Sequence, residues 1–162
     1  MPRIKIHIPD DITLRIREAL IESGQHECGG IVMGEHVGHE EFRVSDLTIQ
    51  RKGGTISRFV RAVASFVSSL AAFFDRTNHR YRQFNYLGEW HSHPLFALQP
   101  SNDDFVSMRE IVDDPEVGAN FVILILVRLN NDQVEGKVWS LLPGGAFNEA
   151  EVIRNGAHYE RQ

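Results

Sequence analysis

The sequence predicts an α/β chain of the α+β-like kind, a mixed β-sheet flanked by helices. Three observations predict it. Segments of period-two alternation and short β-branched apolar runs recur through the 162 residues and mark strands. Broad apolar stripes at three-and-four spacing lie between them and mark helices. Turn signals such as Asn130-Asn131-Asp132 join some strands directly, so hairpins accompany the crossovers.

Each element follows in order. Ile4, Ile6 and Ile8 alternate with Lys5 and His7, a short strand. Pro9-Asp10-Asp11 supplies helix-start chemistry, Ile12, Ile16, Ala19 and Leu20 form one stripe, and Gly24 is the expected stop. GGIVMG (29–34) reads as a buried strand, EHVGHEE as a turn holding His36 and His39 in solvent, and FRVSDLTI as a second strand. Gly53-Gly54 marks a loop before the longest helix, where residues from Phe59 to Phe74 recur at helical spacing. That aromatic stripe is ordinary core packing. Tyr86–His93 is the next strand, about Ser101 to Asp113 a helix with Phe105, Met108, Ile111 and Val112 on one face, and Phe121–Val127 a central strand. Gln133–Leu141 should pair with it, and the tail from Pro143 is expected to be irregular or weakly helical.

Length and composition bound the function. A chain of 162 residues and 18.4 kDa is expected to form one domain over 1–162. Its net charge of -5 argues against nucleic acid, since phosphate binding needs clustered Lys and Arg. Arg76, Arg80 and Arg82 come nearest to such a cluster and read as a solvated helix end. The single cysteine, Cys28, forbids an internal disulfide and fits a reducing compartment. No signal-like apolar core opens the chain. The longest apolar-leaning run, Ala62 to Phe74, is shorter than the roughly 20 residues that span a bilayer. A cytoplasmic protein without membrane partners is expected.

The chemistry concentrates in GEWHSHPLFALQPSNDD, residues 88–104. On a strand, positions i and i+2 share a face, so the rings of His91 and His93 can converge on one point while Ser92 faces away. Pro94 encourages the chain to leave the sheet. The loop to Ser101 is long enough to return Asp104, on the first turn of the next helix, to that same point. Two imidazoles and one carboxylate form a three-ligand set typical of catalytic zinc, whose fourth position is left for water. Taken alone, Ser101-x-x-Asp104 is a capping-box variant, and a lone His-x-His is a weak signal. Their combination at this spacing points to a metal. A hydrolytic site also needs a base, and Glu89, Asp103 and Glu27 are all candidates that spacing does not separate.

Glu27, GEWHSHP, Ser101 and Asp104 together resemble the JAMM motif of the JAB/MPN+ metalloproteases: an upstream Glu, His-x-His, and Ser-x-x-Asp. The similarity covers about residues 10 to 140, with no departure from the motif. It implies a JAB/MPN, cytidine-deaminase-like architecture. It also implies one Zn2+ per chain held by His91, His93 and Asp104, with Glu27 as general base and Ser101 as oxyanion donor. The family's substrates imply cleavage after the C-terminal glycine of ubiquitin-like modifiers, in a compact form most similar to bacterial stand-alone members. These are often encoded beside activating-like and conjugating-like enzymes, including those of antiphage CBASS systems, where a nucleotidyltransferase is the conjugated partner. Two alternatives accompany this reading: a peptidase that trims a sulfur-carrier or tail-assembly protein, and a scaffold that keeps the fold without catalysis. Zinc deaminase chemistry is disfavoured, because Pro-Cys-x-x-Cys is absent. Cys28 and Trp90 read as packing residues. His7, His26, His79 and His158 show no ligand spacing, although His26 could reach the site mouth.

Overall fold

The computed structural model describes residues 3–50 and 63–154. β1 (Lys5–Ile8) leads directly into α1 (Asp10–Ser23), with Pro9 as N-cap and Asp10 and Asp11 in the first turn. Acidic residues there complement the positive end of the helix dipole. Gly24 closes the helix at φ 59°, a left-handed value that suits a residue without Cβ. The predicted stripe is fully enclosed: Ile12, Ile16, Ala19 and Leu20 are all buried. Burial of such a side chain contributes about 1.5–3 kcal/mol for Ile or Leu, so α1 is fixed by packing more than by propensity.

β2 (Gly29–Gly38) and β3 (Glu41–Leu47) form an antiparallel pair. The turn is shorter than expected, because β2 runs on past Gly34 and leaves only His39 and Glu40 outside the strands. His36 therefore sits on a strand, its ring stacked 4.8 Å from that of Phe42, and stays exposed like His39. α2 spans Val63–Arg76, so the predicted helix is present there; Phe59, Ala62 and the Gly53-Gly54 loop lie outside the described residues. Phe73 of α2 packs on Ile31 and Met33. Of the arginines near its end, Arg76 pairs with Asp46 at 2.6 Å, and Arg80 lies over the Phe84 ring.

β4 (Phe84–Ser92), α3 (Asn102–Val112), β5 (Val122–Asn130) and β6 (Gln133–Leu141) complete the expected elements. The tail corrects the expectation. It forms β7 (Phe147–Glu149) and β8 (Glu151–Arg154), neither irregular nor helical. Neither Phe147–Glu149 (FNE) nor Glu151–Arg154 (EVIR) alternates apolar with polar residues as β1 does, so neighbours that only the fold supplies make them strands.

The strands form one sheet in the order β7-β6-β5-β4-β2-β3-β1-β8, mixed as predicted, with β4–β5, β1–β3 and β1–β8 parallel. Its two ends approach each other. β7 pairs with β6 and β8 with β1, yet only Ala150 separates them in the chain. Ala150 is buried, its N–H donates to Val138 O, and Arg154 reaches across to Val134 O. The sheet thus curls around α1, enclosing Ile6, Val32, Val44, Trp90, Ile125 and Val138. α3 packs on Leu124 and Leu126, on the other face. No described helix is long and apolar enough to cross a membrane.

Candidate metal centre

The site sits where β4 ends. His91 lies between Gly29 of β2 and Leu126 of β5, and the N–H of His93, one residue past the strand, still donates to Val127 O at 2.8 Å. Upstream, Gly88 makes the approach to β5 possible: at φ 154° a Cβ would stand 1.9 Å from Ile123 O. Pro94 then directs the chain out of the sheet, and α3 brings it back. Ser101 caps α3 through its hydroxyl, which accepts from Asp104 N at 3.1 Å, while Asp104 Oδ2 accepts from Ser101 N at 2.8 Å. The capping box predicted from Ser-x-x-Asp is therefore present, and it orients the Asp104 carboxylate.

His91, His93 and Asp104 meet. Each is buried, and their donor atoms lie within 4.8 Å of one another. His91 Nε2 is 3.3 Å from Asp104 Oδ1, and His93 Nε2 is 3.6 Å from Asp104 Oδ2. Ligand atoms around a tetrahedral ion with bonds of about 2.0–2.1 Å stand about 3.3–3.5 Å apart, so both distances suit a single small cation. Two further features fit a metal. His91 Nε2 is buried without a hydrogen-bond partner, an arrangement that costs free energy unless an electron-pair acceptor uses the nitrogen. His93 Nδ1 meets Ala97 O at 2.9 Å; a carbonyl only accepts, so the proton is on Nδ1 and the lone pair of Nε2 faces the site.

The electrostatics agree with the geometry. Burial pushes His91 down to about 4, which keeps it neutral and able to donate a lone pair. Burial works in the same direction on His93, but Asp104 and the Ala97 carbonyl overcome it and raise this group. At 3.6 Å the Asp104 oxygen is too distant for a proper hydrogen bond, so its effect on His93 is mainly that of a charge. Burial tends to raise Asp104, and the two histidines with the Ser101 cap more than offset it, leaving the carboxyl below its ordinary value.

Glu27 lies in the turn between α1 and β2, half-buried, close enough to feel the charges of His93 and Asp104. Burial raises its carboxyl above the ordinary value; the His93 charge opposes this and that of Asp104 adds to it. A two-way link places it there: Cys28 N donates to Ser92 Oγ and Ser92 N to Cys28 O, each at 2.9 Å. The other two candidate bases differ from it in exposure. Glu89 is enclosed within the sheet at 0% exposure, and Asp103 points into solvent. His26 is exposed, and Trp90 is a buried packing residue that donates to Thr48 O. Two contributors had no sequence signature: the Ala97 carbonyl, because a main-chain acceptor belongs to every residue, and Ser92, whose orientation away from the rings suggested no role.

A curled mixed sheet around one helix, with a buried His-His-Asp set at a strand end, defines a JAMM-type fold. Residues 9–142 match the family of prokaryotic homologs of the JAB domain, and the chain belongs to that family. Its fold is similar to the solution structure of a protein from Desulfitobacterium hafniense, at 16% identity and TM-score 0.61, covering 97% of this chain and 99% of the other. A solution structure of a protein from Salinibacter ruber is similar at 19% identity and TM-score 0.56, covering 93% and 92%. No curated protein matches the chain.

Proposed function

We propose that the chain is a zinc-dependent peptidase or isopeptidase. In this reading it cleaves after the C-terminal glycine of a ubiquitin-like modifier or another glycine-ended protein. The observation that carries the proposal is the convergence of three buried donors beside a carboxyl of raised pKa. His91 and His93, as imidazoles, and Asp104, as an anion, would hold the ion. Bound Zn2+ would supply a Lewis acid for the scissile carbonyl and lower the pKa of a bound water to about 7.

The chain's own residues then do the proton work. Glu27 accepts the proton of the attacking water and passes it to the departing amine; its raised pKa brings it nearer the working pH than an ordinary carboxylate. Ser101 Oγ already accepts from Asp104 N, which leaves its O–H to donate to the oxyanion that develops on the carbonyl. A tail ending in glycine carries no Cβ into the cleft. Family membership supports a bacterial deconjugase, whose substrate would be made by activating-like and conjugating-like enzymes, as in CBASS systems with a conjugated nucleotidyltransferase.

Cleavage of glycine-tailed modifier fusions, with and without a zinc chelator, tests this. Chelator-sensitive cut at the glycine is expected. One zinc per chain with no fusion cleaved would overturn the peptidase reading in favour of a scaffold.

A further inference from the structure

A groove of about 560 Å3 opens against the loop that follows His93. Ala97 and Gln99 form one wall, and Arg128, Glu135, Lys137 and Arg154 supply the charged groups of the rest. Three cations face one carboxylate, in a chain whose net charge is -5. Positive potential inside a concave surface is focused by the surrounding low-dielectric walls and attracts anions.

Two of the cations, Arg128 and Arg154, are held in place. Arg128 Nε donates to Glu135 at 2.8 Å and its Nη1 to Phe96 O at 3.3 Å, while Arg154 Nη2 donates to Val134 O at 2.9 Å. Each guanidinium keeps further N–H groups for a ligand. Lys137 is exposed and has no ion-pair partner among the described residues. Cations already fixed lose little freedom when an anion arrives.

The groove also shares a wall with the metal centre. Three consecutive carbonyls of the loop accept from side chains: Phe96 O from Arg128, Ala97 O from His93, and Leu98 O from Trp139 Nε1 at 3.2 Å. Ala97 thus lines the groove and accepts from His93, so one loop serves both places.

We propose that the groove is a specificity site for an acidic segment of the polypeptide substrate, bound by Arg128, Lys137 and Arg154. This deepens the peptidase reading and rests on it. A nucleic acid fits less well, because among the described residues the lining includes no aromatic ring on which a base could stack.

The test is direct binding. A fluorescein-labelled peptide of alternating glycine and glutamate, and its glutamine counterpart, are titrated with the full chain and read by fluorescence anisotropy. The glutamate peptide is expected to bind about tenfold or more tightly, with an advantage that shrinks in salt. Lys137→Glu, an exposed change that breaks no side-chain hydrogen bond or ion pair among the described residues, should remove that preference, and Lys137→Arg should retain it. Equal binding of the two peptides, an unaffected Lys137→Glu variant, or a stronger preference for an oligonucleotide would each overturn the proposal. Glycine-tailed fusions flanked by glutamate or glutamine then read the coupling: the glutamate fusion should show a lower KM. Failure to cleave either fusion, with the binding preference intact, would sink the peptidase reading alone.

Discussion

At the scale of single residues, the site separates into groups that hold an ion and groups that move protons. Asp104→Ala should abolish stoichiometric metal in elemental analysis. Glu27→Gln should keep the metal and lose about 10²- to 10⁴-fold in turnover. Ser101 serves two ends, and substitution can part them. Ser101→Ala removes a cap worth about 0.5–2 kcal/mol together with the hydroxyl donor, whereas Ser101→Gly costs the helix only a few tenths of a kcal/mol. Both variants should lose about 10²- to 10³-fold in turnover if the hydroxyl serves the oxyanion. Turnover surviving in Ser101→Gly would confine Ser101 to the cap.

The two histidines respond oppositely to pH in the metal-free protein. His91 is depressed to about 4 in the fold against 6.5 when unfolded, so between those values the unfolded chain binds more protons and stability rises with pH. His93 is raised, so its contribution is complete below 6.5 and is lost as pH rises through its folded value. The pair together should stabilise most near 6.5. Thermal melts of chelated protein across pH, compared with those of His91→Gln and His93→Gln, should show the low-pH limb lost in the first variant and the high-pH limb lost in the second.

At the scale of elements, legibility followed the strength of the local pattern. β6 was predicted at its observed limits because Gln133–Leu141 is bounded by a turn and paired along its whole length. The α1 stripe was legible because its positions repeat at the helical period. The His-x-His pair, its proline and the capping box placed three donors from spacing alone. Glu27 was different. Its position depends on the link between Cys28, just before β2, and Ser92 of β4, 64 residues apart in sequence, and only the family pattern singled it out. The close approach of β4 to β5 at Gly88 carries its own prediction. Gly88→Ala should lose at least the roughly 3 kcal/mol that marks the upper end of ordinary substitutions, because backbone, not a flexible side chain, obstructs the new methyl. A chemical denaturation curve measures this, and metal affinity should fall with it as His91 is displaced.

At the scale of the whole molecule, metal and fold are thermodynamically linked. An ion that binds only the folded chain adds about 2.7 kcal/mol at a hundred times its Kd. For a chain of this length each kcal/mol corresponds to about 2–4 °C in Tm, so a chelator should lower the midpoint by about 5–11 °C. Asp104→Ala should make the melt insensitive to the chelator. An equal response in wild type and variant would show that the ion binds elsewhere.

The junction at Ala150 has a consequence for aggregation. A flat sheet of this size would present two unsatisfied rims to other chains, yet here the last two strands occupy both rims and one buried residue fastens them together. Cutting the polypeptide after Leu142 would spare every candidate ligand and still strip hydrogen-bond partners from β1 and β6 at once. Such a fragment should form large assemblies on size exclusion, with its unclasped strands recruiting those of its neighbours.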